Sequence, residues 1–220
     1  MKYPLGEAMS WRRDDTLKQF WKARLVLHHF DMYKGLHIAK LPEDLRTYEH
    51  VIWETQPEVI VELGGGSVGA SALWFADRLD SLCGGGKVVS IEQEPMRADI
   101  APMDDSRIVF VTGDLTSKKV VSRVKRLTKG KRTMVIEDSR HDYDTTLAAL
   151  RLYSPLVQEG QFFVVEDTIV DDAEMSIFGD HGVLPAVLDF IKEEPRFVQQ
   201  NLDIYGITMH SGGWLQAVSS

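Results

Sequence analysis

Acidic side chains at the ends of successive predicted strands are the residues best placed to do chemistry. Five short apolar segments along the chain end in one or two carboxylates, which are Glu62, Glu92, Asp114, Asp138 and the pair Glu166 and Asp167. In an open parallel sheet, ligands bind beyond the carboxyl ends of the strands. A requirement for solubility would not put all these acids at one edge, so we expect them to serve different ligand groups.

Three of the acids are Asp138, Glu166 and Asp167. Together they provide more carboxylates than one hydrogen-bonding ligand could use. Like charges crowded together raise one another's pKa unless a cation lies among them. Hard oxygen ligands with no cysteine nearby indicate Mg²⁺, with Mn²⁺ or Ca²⁺ as substitutes. The alternative interpretation is a set of helix N-caps and solvated acids.

A histidine, His141, lies three residues after Asp138 and should face the same opening. A neutral imidazole titrates near neutrality and can take a proton from a hydroxyl whose pKa a metal has lowered. We therefore predict His141 as the general base, with His181 as the reserve candidate. Adjacent residues on a helix point about 100° apart, so His28 and His29 are not predicted to form a metal pair.

A glycine-rich turn follows the first of these apolar segments. Gly64, Gly66 and Gly69 satisfy G-x-G-x-x-G, which alone is weak evidence for a dinucleotide site. Glu62 is more informative, because its carboxylate would repel the pyrophosphate of NAD and attract the ammonium group of S-adenosylmethionine (SAM). The turn therefore favours SAM, while a nucleotide or no cofactor remain alternatives.

Two further acids fit the rest of such a cofactor. Glu92 lies a little over 20 residues after the glycine turn, where a carboxylate binds two ribose hydroxyls of either NAD or SAM. Asp114 follows the next strand and is placed to accept a hydrogen bond from an adenine amino group.

Strands and helices alternate through most of the chain, which predicts a mostly parallel sheet covered on both faces. Strands are predicted at 59–63, 87–91, 107–111, 133–136 and 160–165, and helices at 71–82, 120–127, 143–152 and 184–192. Segments 197–204 and 213–218 predict an antiparallel pair at the sheet edge. The acidic and glycine-containing loop 169–182 is predicted to be a lid over the site.

Residues 1–35 show apolar side chains at helical spacing and differ from the start of a Rossmann domain. We predict a helical extension that covers the active site or the sheet edge, or that makes a dimer contact. A homo-oligomer, a dimer or higher, is expected. Residues 36–220 form the predicted catalytic domain.

Composition narrows the functional classes. The chain of 220 residues has a formal net charge of −8, which argues against a nucleic-acid partner, since such binding draws on clustered Lys and Arg. The one dense basic stretch, 118–132, is interpreted as a solvated helix and turn. There is no apolar run that could span a bilayer and no signal-peptide core at the N-terminus, so we expect a cytoplasmic protein without a membrane partner. A single cysteine, Cys83, excludes an internal disulfide framework and a Cys-rich zinc site.

Four segments resemble the cephalosporin hydroxylase / rhamnosyl O-methyltransferase family, over about residues 35–218. They are Lys40-Leu-Pro-Glu-Asp-Leu, Val135-Ile-Glu-Asp-Ser-Arg-His141, the block at 153–160, and Val164-Val-Glu-Asp-Thr168. The resemblance implies a Rossmann-like class I methyltransferase with a mostly parallel seven-stranded sheet, a C-terminal antiparallel hairpin and helices on both faces. The turn from Glu62 to Ser71 is one residue longer than is usual in the family.

The resemblance also implies a SAM- and Mg²⁺-dependent O-methyltransferase acting on a hydroxyl of a sugar or natural product. It matches His141 to the histidine of the family's Asp-Ser-x-His block and Asp138, Glu166 and Asp167 to the family's metal ligands. The implied SAM site comprises Glu62, Gly64, Gly65, Gly66, Ser71, Glu92, Asp114 and Asp138. Two other functions remain open, an NAD(P)-dependent oxidoreductase and a non-catalytic accessory subunit of a hydroxylase or tailoring complex.

Overall fold

The computed structural model describes residues 17–66, 68–97, 104–171 and 182–219. Helix α1 (Leu17–Leu27) runs into a 3₁₀ turn (His28–Phe30), and a small hairpin of β1 (Met32–Tyr33) and β2 (Leu36–His37) follows. The sequence predicted helix throughout this region. The hairpin forms instead because Lys34 and Gly35 both adopt left-handed backbone conformations, with φ of 49° and 84°, as a two-residue hairpin turn requires.

Five parallel strands form the centre of the fold, and short runs rich in β-branched residues supply them. They are β3 (Val59–Leu63), β4 (Lys87–Glu92), β5 (Ile108–Thr112), β6 (Thr133–Glu137) and β7 (Phe162–Val165). Strand β3 pairs in parallel with both β4 and β6, so the sheet grows outward from β3 in both directions.

Strands β8 (Phe197–Gln199) and β9 (Trp214–Ala217) complete a seven-stranded sheet of order β5-β4-β3-β6-β7-β9-β8. Strand β9 lies between β7 and β8 and is antiparallel to both, which confirms the predicted C-terminal hairpin. The strand order reverses between β3 and β6. In open α/β sheets this reversal is the place where ligands bind.

Helices cover both faces of the sheet, as predicted. Helices α2 (Pro42–Thr55) and α3 (Ala70–Cys83) lie on one face, and α4 (Lys118–Leu127), α5 (Tyr143–Tyr153) and α6 (Val183–Glu193) lie on the other. Successive strand side chains alternate between these faces. In β3, for example, Ile60 packs toward α2 and α3, whereas Val61 packs toward α4, α5 and α6.

The predicted lid falls mostly outside the described residues, which leave out 172–181 and with them His181. The two described ends of this segment meet at Asp171, whose carboxylate accepts hydrogen bonds from the backbone N–H groups of Gly182 at 2.6 Å and Leu184 at 2.5 Å. Within the described part of the chain, every helix is too short or too polar to cross a membrane.

Candidate active site

Side chains alternate between the two faces of the sheet along each strand, and this alternation determines the face toward which each acid at a strand end points. Glu62 follows Val61 and faces α2 and α3, as Ile60 does, and Glu166 continues β7 on the same face as Val164. Glu137 takes the opposite face, where its carboxylate accepts a hydrogen bond from the hydroxyl of Ser139. Glu62, Glu137 and Glu166 are all buried, so their carboxylates need partners within the fold.

A lysine that precedes α2 is the main partner on the α2 face. The Lys40 amine donates to Asp138 Oδ2 at 2.9 Å and to Glu166 Oε2, and only 4% of its side chain is exposed. Burial disfavours the charged amine, but Asp138 and Glu166 outweigh it and raise the pKa of Lys40 well above its ordinary value. Lys40 is therefore a permanent cation between two of the predicted metal ligands.

The second partner of Glu166 is Tyr48, one helical turn after Asp44 on the buried face of α2. The Tyr48 hydroxyl donates to Glu166 Oε1 at 2.6 Å. Burial opposes ionisation of Glu166, but Lys40 and the other partners lower its pKa to about 2. Both oxygens of this ionised carboxylate thus have a donor already.

Asp138, His141 and Asp167 form a second group beside this ion pair. His141 Nε2 lies 3.8 Å from Asp138 Oδ1 and 3.5 Å from Asp167 Oδ2, and one ligand atom from each of the three residues falls within 4.8 Å of the others. His141 and Asp167 both have left-handed backbones, with φ of 53° and 57°. Residues held in such sparsely populated conformations cluster at functional sites.

Behind Asp167 lies a buried pair that the sequence did not indicate, His210 and Asp44. The Asp167 backbone N–H donates to His210 Nδ1 at 3.0 Å. Because Nδ1 accepts, a neutral His210 carries its proton on Nε2, which lies 3.6 Å from Asp44 Oδ2. Asp44 in turn accepts from Thr208 Oγ1 at 2.6 Å and from the Met209 backbone N–H at 2.9 Å. This chain of contacts fixes the backbone of Asp167.

The sequence does contain one indication of the buried residues on α2 that support the site. Asp44 and Tyr48 lie on the same stripe of α2 as Val51 and Ile52, and all four are buried. A carboxylate on an otherwise apolar helix face requires a buried partner. His210 lies in the loop between β8 and β9 and carries no comparable signal.

A cavity of about 380 Å³ opens beside the glycine turn at the ends of β3, β4 and β5. It is lined by Gly64, Ile91, Glu92, Gln93, Gly113, Asp114, Leu115, Thr116, Ser139, Arg140 and Thr145. Three of the predicted cofactor residues, Gly64, Glu92 and Asp114, therefore lie at one cavity. Glu92 Oε1 also accepts a hydrogen bond of 2.6 Å from the Gly66 backbone N–H.

The other predicted cofactor residues, which are Glu62, Gly65, Gly66, Ser71 and Asp138, do not line this cavity. Glu62 is fully buried, and its Oε1 has no hydrogen-bond partner among the described residues. A Cβ on Gly65 would come within 2.0 Å of Glu62 Oε2, so only glycine fits there. Ser71 Oγ donates to the Gly65 carbonyl at 3.2 Å, and Asp138 lies instead at the Lys40 ion pair.

A second cavity, of about 290 Å³, adjoins the group of Asp138, His141 and Asp167. It is lined by His28, His29, Arg140, His141, Asp167, Val170 and Met209. Two of these residues belong to the N-terminal extension, which Trp21 anchors by packing against Leu41, Ile169 and Met209. The extension therefore forms part of a cavity wall, and Arg140 lines both cavities.

A family model described as Rhamnosyl O-methyltransferase/CmcI matches residues 25–218. The chain belongs to this family. The resemblance of the four sequence segments is thereby confirmed, and the match includes the 3₁₀ turn that carries His28 and His29 as well as the whole central sheet.

Curated relatives of this chain include rhamnosyl O-methyltransferases of mycobacteria. The protein of Mycobacterium bovis is 28% identical over 156 residues, which cover 70% of this chain and 60% of that protein. The protein of Mycobacterium leprae is 29% identical over 189 residues, covering 83% of this chain and 81% of that one.

Solved structures similar to this family member share its fold. A CmcI structure with Mg and SAM superposes with a TM-score of 0.67 at 21% identity, covering 96% of this chain and 88% of that one. The methyltransferase MycE, in complex with Mg, S-adenosylhomocysteine (SAH) and mycinamycin VI, gives 0.56 at 15% identity, covering 91% and 54%. The predicted class I methyltransferase fold is thus confirmed.

The Glu62 carboxylate accepts a hydrogen bond from Ser90 Oγ at 3.2 Å through Oε2, whereas its Oε1 has no partner among the described residues, and this leads to a first prediction. Burial raises its pKa, so the ionised group costs stability in the folded protein. Because the folded pKa lies above the unfolded one, stability falls as pH rises through that interval. We expect Glu62→Gln without cofactor to unfold about 2–4 °C above the wild type near pH 8, with the gap closing toward pH 5.

Thermal unfolding across this pH range measures the effect. The control is Glu58→Gln, because Glu58 forms a surface pair with Lys131 at 3.1 Å and is not buried. A Glu62→Gln protein that unfolds at or below the wild-type temperature near pH 8 would contradict the interpretation of this carboxylate.

Proposed function

We propose that this protein is a SAM- and Mg²⁺-dependent O-methyltransferase that transfers a methyl group to a hydroxyl of a small molecule. One observation carries the proposal. The group of Asp138, His141 and Asp167 lies next to a cavity that shares Arg140 with the cavity beside the glycine turn. A methyl donor in one cavity and an acceptor in the other would meet at this group.

The cavity beside the glycine turn fits SAM in the chemistry of its walls. Glu92 and Asp114 offer carboxylate acceptors to ribose hydroxyls and an adenine amine, and Gly64 brings the backbone close. The unpartnered Oε1 of Glu62 supplies negative charge beneath the turn, which favours the ammonium and sulfonium groups of SAM over a pyrophosphate. The CmcI and MycE structures carry SAM or SAH, which agrees with this assignment.

The carboxylates at the ends of β6 and β7 fit a divalent metal. Asp138, Glu166 and Asp167 are proposed as its ligands. Asp138 and Asp167 belong to the group with His141, and Glu166 lies outside that group but its oxygens retain lone pairs beyond those that accept from Lys40 and Tyr48. When bound, Mg²⁺ would supply a Lewis acid that lowers the pKa of the acceptor hydroxyl.

His141 is proposed as the general base. Its Nε2 faces Asp138 and Asp167 and its side chain lines the acceptor cavity, so it is placed to take the hydroxyl proton at Nε2. The hydroxyl oxygen then attacks the methyl group, and the C–S bond electrons return to sulfur. Much of the rate would come from holding the two reactants in contact.

For the acceptor, we propose a sugar or a natural-product scaffold. Val170 and Met209 contribute apolar side chains to the cavity walls, His28 and His29 contribute flat imidazole rings, and Arg140 also lines the cavity. Such walls suit a ring that bears hydroxyls. The mycobacterial relatives are named for a rhamnosyl acceptor, and MycE has been solved with mycinamycin VI.

The two rival functions explain less of the site. An NAD(P)-dependent oxidoreductase would use Glu92 but leaves the burial of Glu62 and the group of Asp138, His141 and Asp167 without a role. A non-catalytic accessory subunit needs neither a grouped histidine nor an acceptor cavity. Homo-oligomerisation, a cytoplasmic location and the lack of nucleic-acid or membrane partners stay predictions.

Cofactor choice gives the most direct test. We expect saturating SAH to raise the unfolding temperature by roughly 5–10 °C, since ligand at a hundred times its Kd adds about 2.7 kcal/mol. NAD⁺ at the same concentration should leave it unchanged. Glu62→Gln, which is expected to fold, should lose most of the SAH effect. Stabilisation by NAD⁺ and not by SAH would favour the oxidoreductase.

Metal dependence is tested with Asp138→Asn and with chelation. Either change should lower methyl transfer at least about a hundredfold, because the acceptor hydroxyl would keep its high pKa. Transfer of labelled methyl from SAM to a rhamnosyl acceptor or to mycinamycin VI measures it. Asp189→Asn, at an exposed pair with Lys192, is the matched control. Full activity in EDTA would end the metal proposal.

The base is tested with His141→Ala. We expect kcat to fall by roughly 10²–10⁴, the usual contribution of a general base, with little change in the Kd for SAH. His37→Ala, at an exposed residue of β2, serves as the control. Equal losses in turnover and SAH affinity would instead indicate a structural role for His141.

A further inference from the structure

Lys40 is a buried cation that the proposed reaction does not use. Among the described residues it is the only lysine or arginine with a charged atom within 4 Å of Asp138 or Glu166. The two carboxylates end neighbouring strands, β6 and β7, and Lys40 comes from outside the sheet. It therefore joins three parts of the fold at the point where these two carboxylates meet.

The backbone around Lys40 holds its amine in this position. Ala39 has a left-handed backbone with φ of 50°, and Pro42 begins α2 two residues after Lys40. Leu41 is 1% exposed and packs against Ile169 and Met209. The short path from this turn into α2 leaves Lys40 directed at the strand ends.

Each carboxylate divides its two oxygens between Lys40 and another group. Asp138 accepts from Lys40 through Oδ2, while its Oδ1 lies 3.8 Å from His141 Nε2. Glu166 accepts a hydrogen bond from Lys40 through Oε2 and one from Tyr48 through Oε1. A divalent ion at this site would thus share Asp138 and Glu166 with a cation that belongs to the chain.

We propose that Lys40 is a resident counter-ion that holds Asp138 and Glu166 together when the metal is absent and opposes the metal when it binds. The inference rests on the proposed metal site. Two like charges that share the same carboxylates repel each other, and the repulsion is strong where burial excludes water. Lys40 therefore preserves the site without metal and weakens metal binding at the same time.

The Lys40→Met variant tests both proposed roles of Lys40, because methionine is similar in length to lysine and is uncharged. In EDTA the variant should unfold roughly 10 °C below the wild type, since the buried carboxylate of Glu166 and the partly buried carboxylate of Asp138 lose their cation. It should bind Mn²⁺ at least about tenfold more tightly, because no fixed charge opposes the metal. Differential scanning fluorimetry measures the first effect, and electron paramagnetic resonance of free Mn²⁺ measures the second.

The control is Lys131→Met, which removes a lysine from an exposed pair with Glu58 and should change neither quantity. If Lys40→Met does not fold in EDTA, refolding in Mn²⁺ should recover it, and Lys40→Gln, which retains a hydrogen-bond donor, provides the affinity measurement. If Mn²⁺ does not restore the folding of Lys40→Met, and Lys40→Gln does not bind Mn²⁺ more tightly than the wild type, the proposal is overturned.

Two other results would also overturn this inference, and they differ in whether the proposed function fails with it. If the wild type binds Mn²⁺ and the Lys40 variants bind it equally or more weakly, Lys40 does not oppose the metal, while the proposed function stands. If the wild type binds no Mn²⁺, this inference and the metal part of the proposed function fail together, while binding of SAH remains a separate test.

Discussion

The site depends on how the fold accommodates several carboxylates at one point. Parallel strands deliver Asp138 and Glu166 side by side, and their mutual repulsion is costly because Glu166 is buried and Asp138 is partly buried. Lys40 offsets this repulsion from the α2 side, Tyr48 supplies a further hydrogen bond, and His210 fixes the backbone of Asp167 from behind. The arrangement of α2 and of the loop before β9 therefore follows from the need to hold these acids in place.

Local patterns in the sequence were sufficient to predict the sheet, the antiparallel hairpin and the acids at the strand ends. Alternation, glycine turns and strand lengths are properties of neighbouring residues, and β3 and β6 have the positions that these patterns indicate. The fold can therefore be predicted from short segments, and the family resemblance adds the strand count.

The partners of the acids could not be predicted in the same way. Lys40 lies 98 residues from Asp138 and 126 from Glu166, and His210 lies 43 from Asp167, so only the folded chain brings them together. The wall formed by His28 and His29 has the same origin, because two adjacent histidines on a helix do not by themselves indicate a cavity. Tertiary placement, rather than local propensity, supplies this part of the site.

The contact between the glycine turn and the end of β6 limits how the proposed methyl-transfer site can be redesigned. A Cβ on Gly64 would lie 2.3 Å from the Asp138 carbonyl oxygen, so the donor loop and the strand that carries Asp138 touch through their backbones. An engineer who reshapes the loop for a bulkier methyl-donor analogue would displace Asp138 as well. The cavity proposed for the acceptor can be altered with less effect on Asp138, because His28 and His29 line it from a segment outside the central sheet.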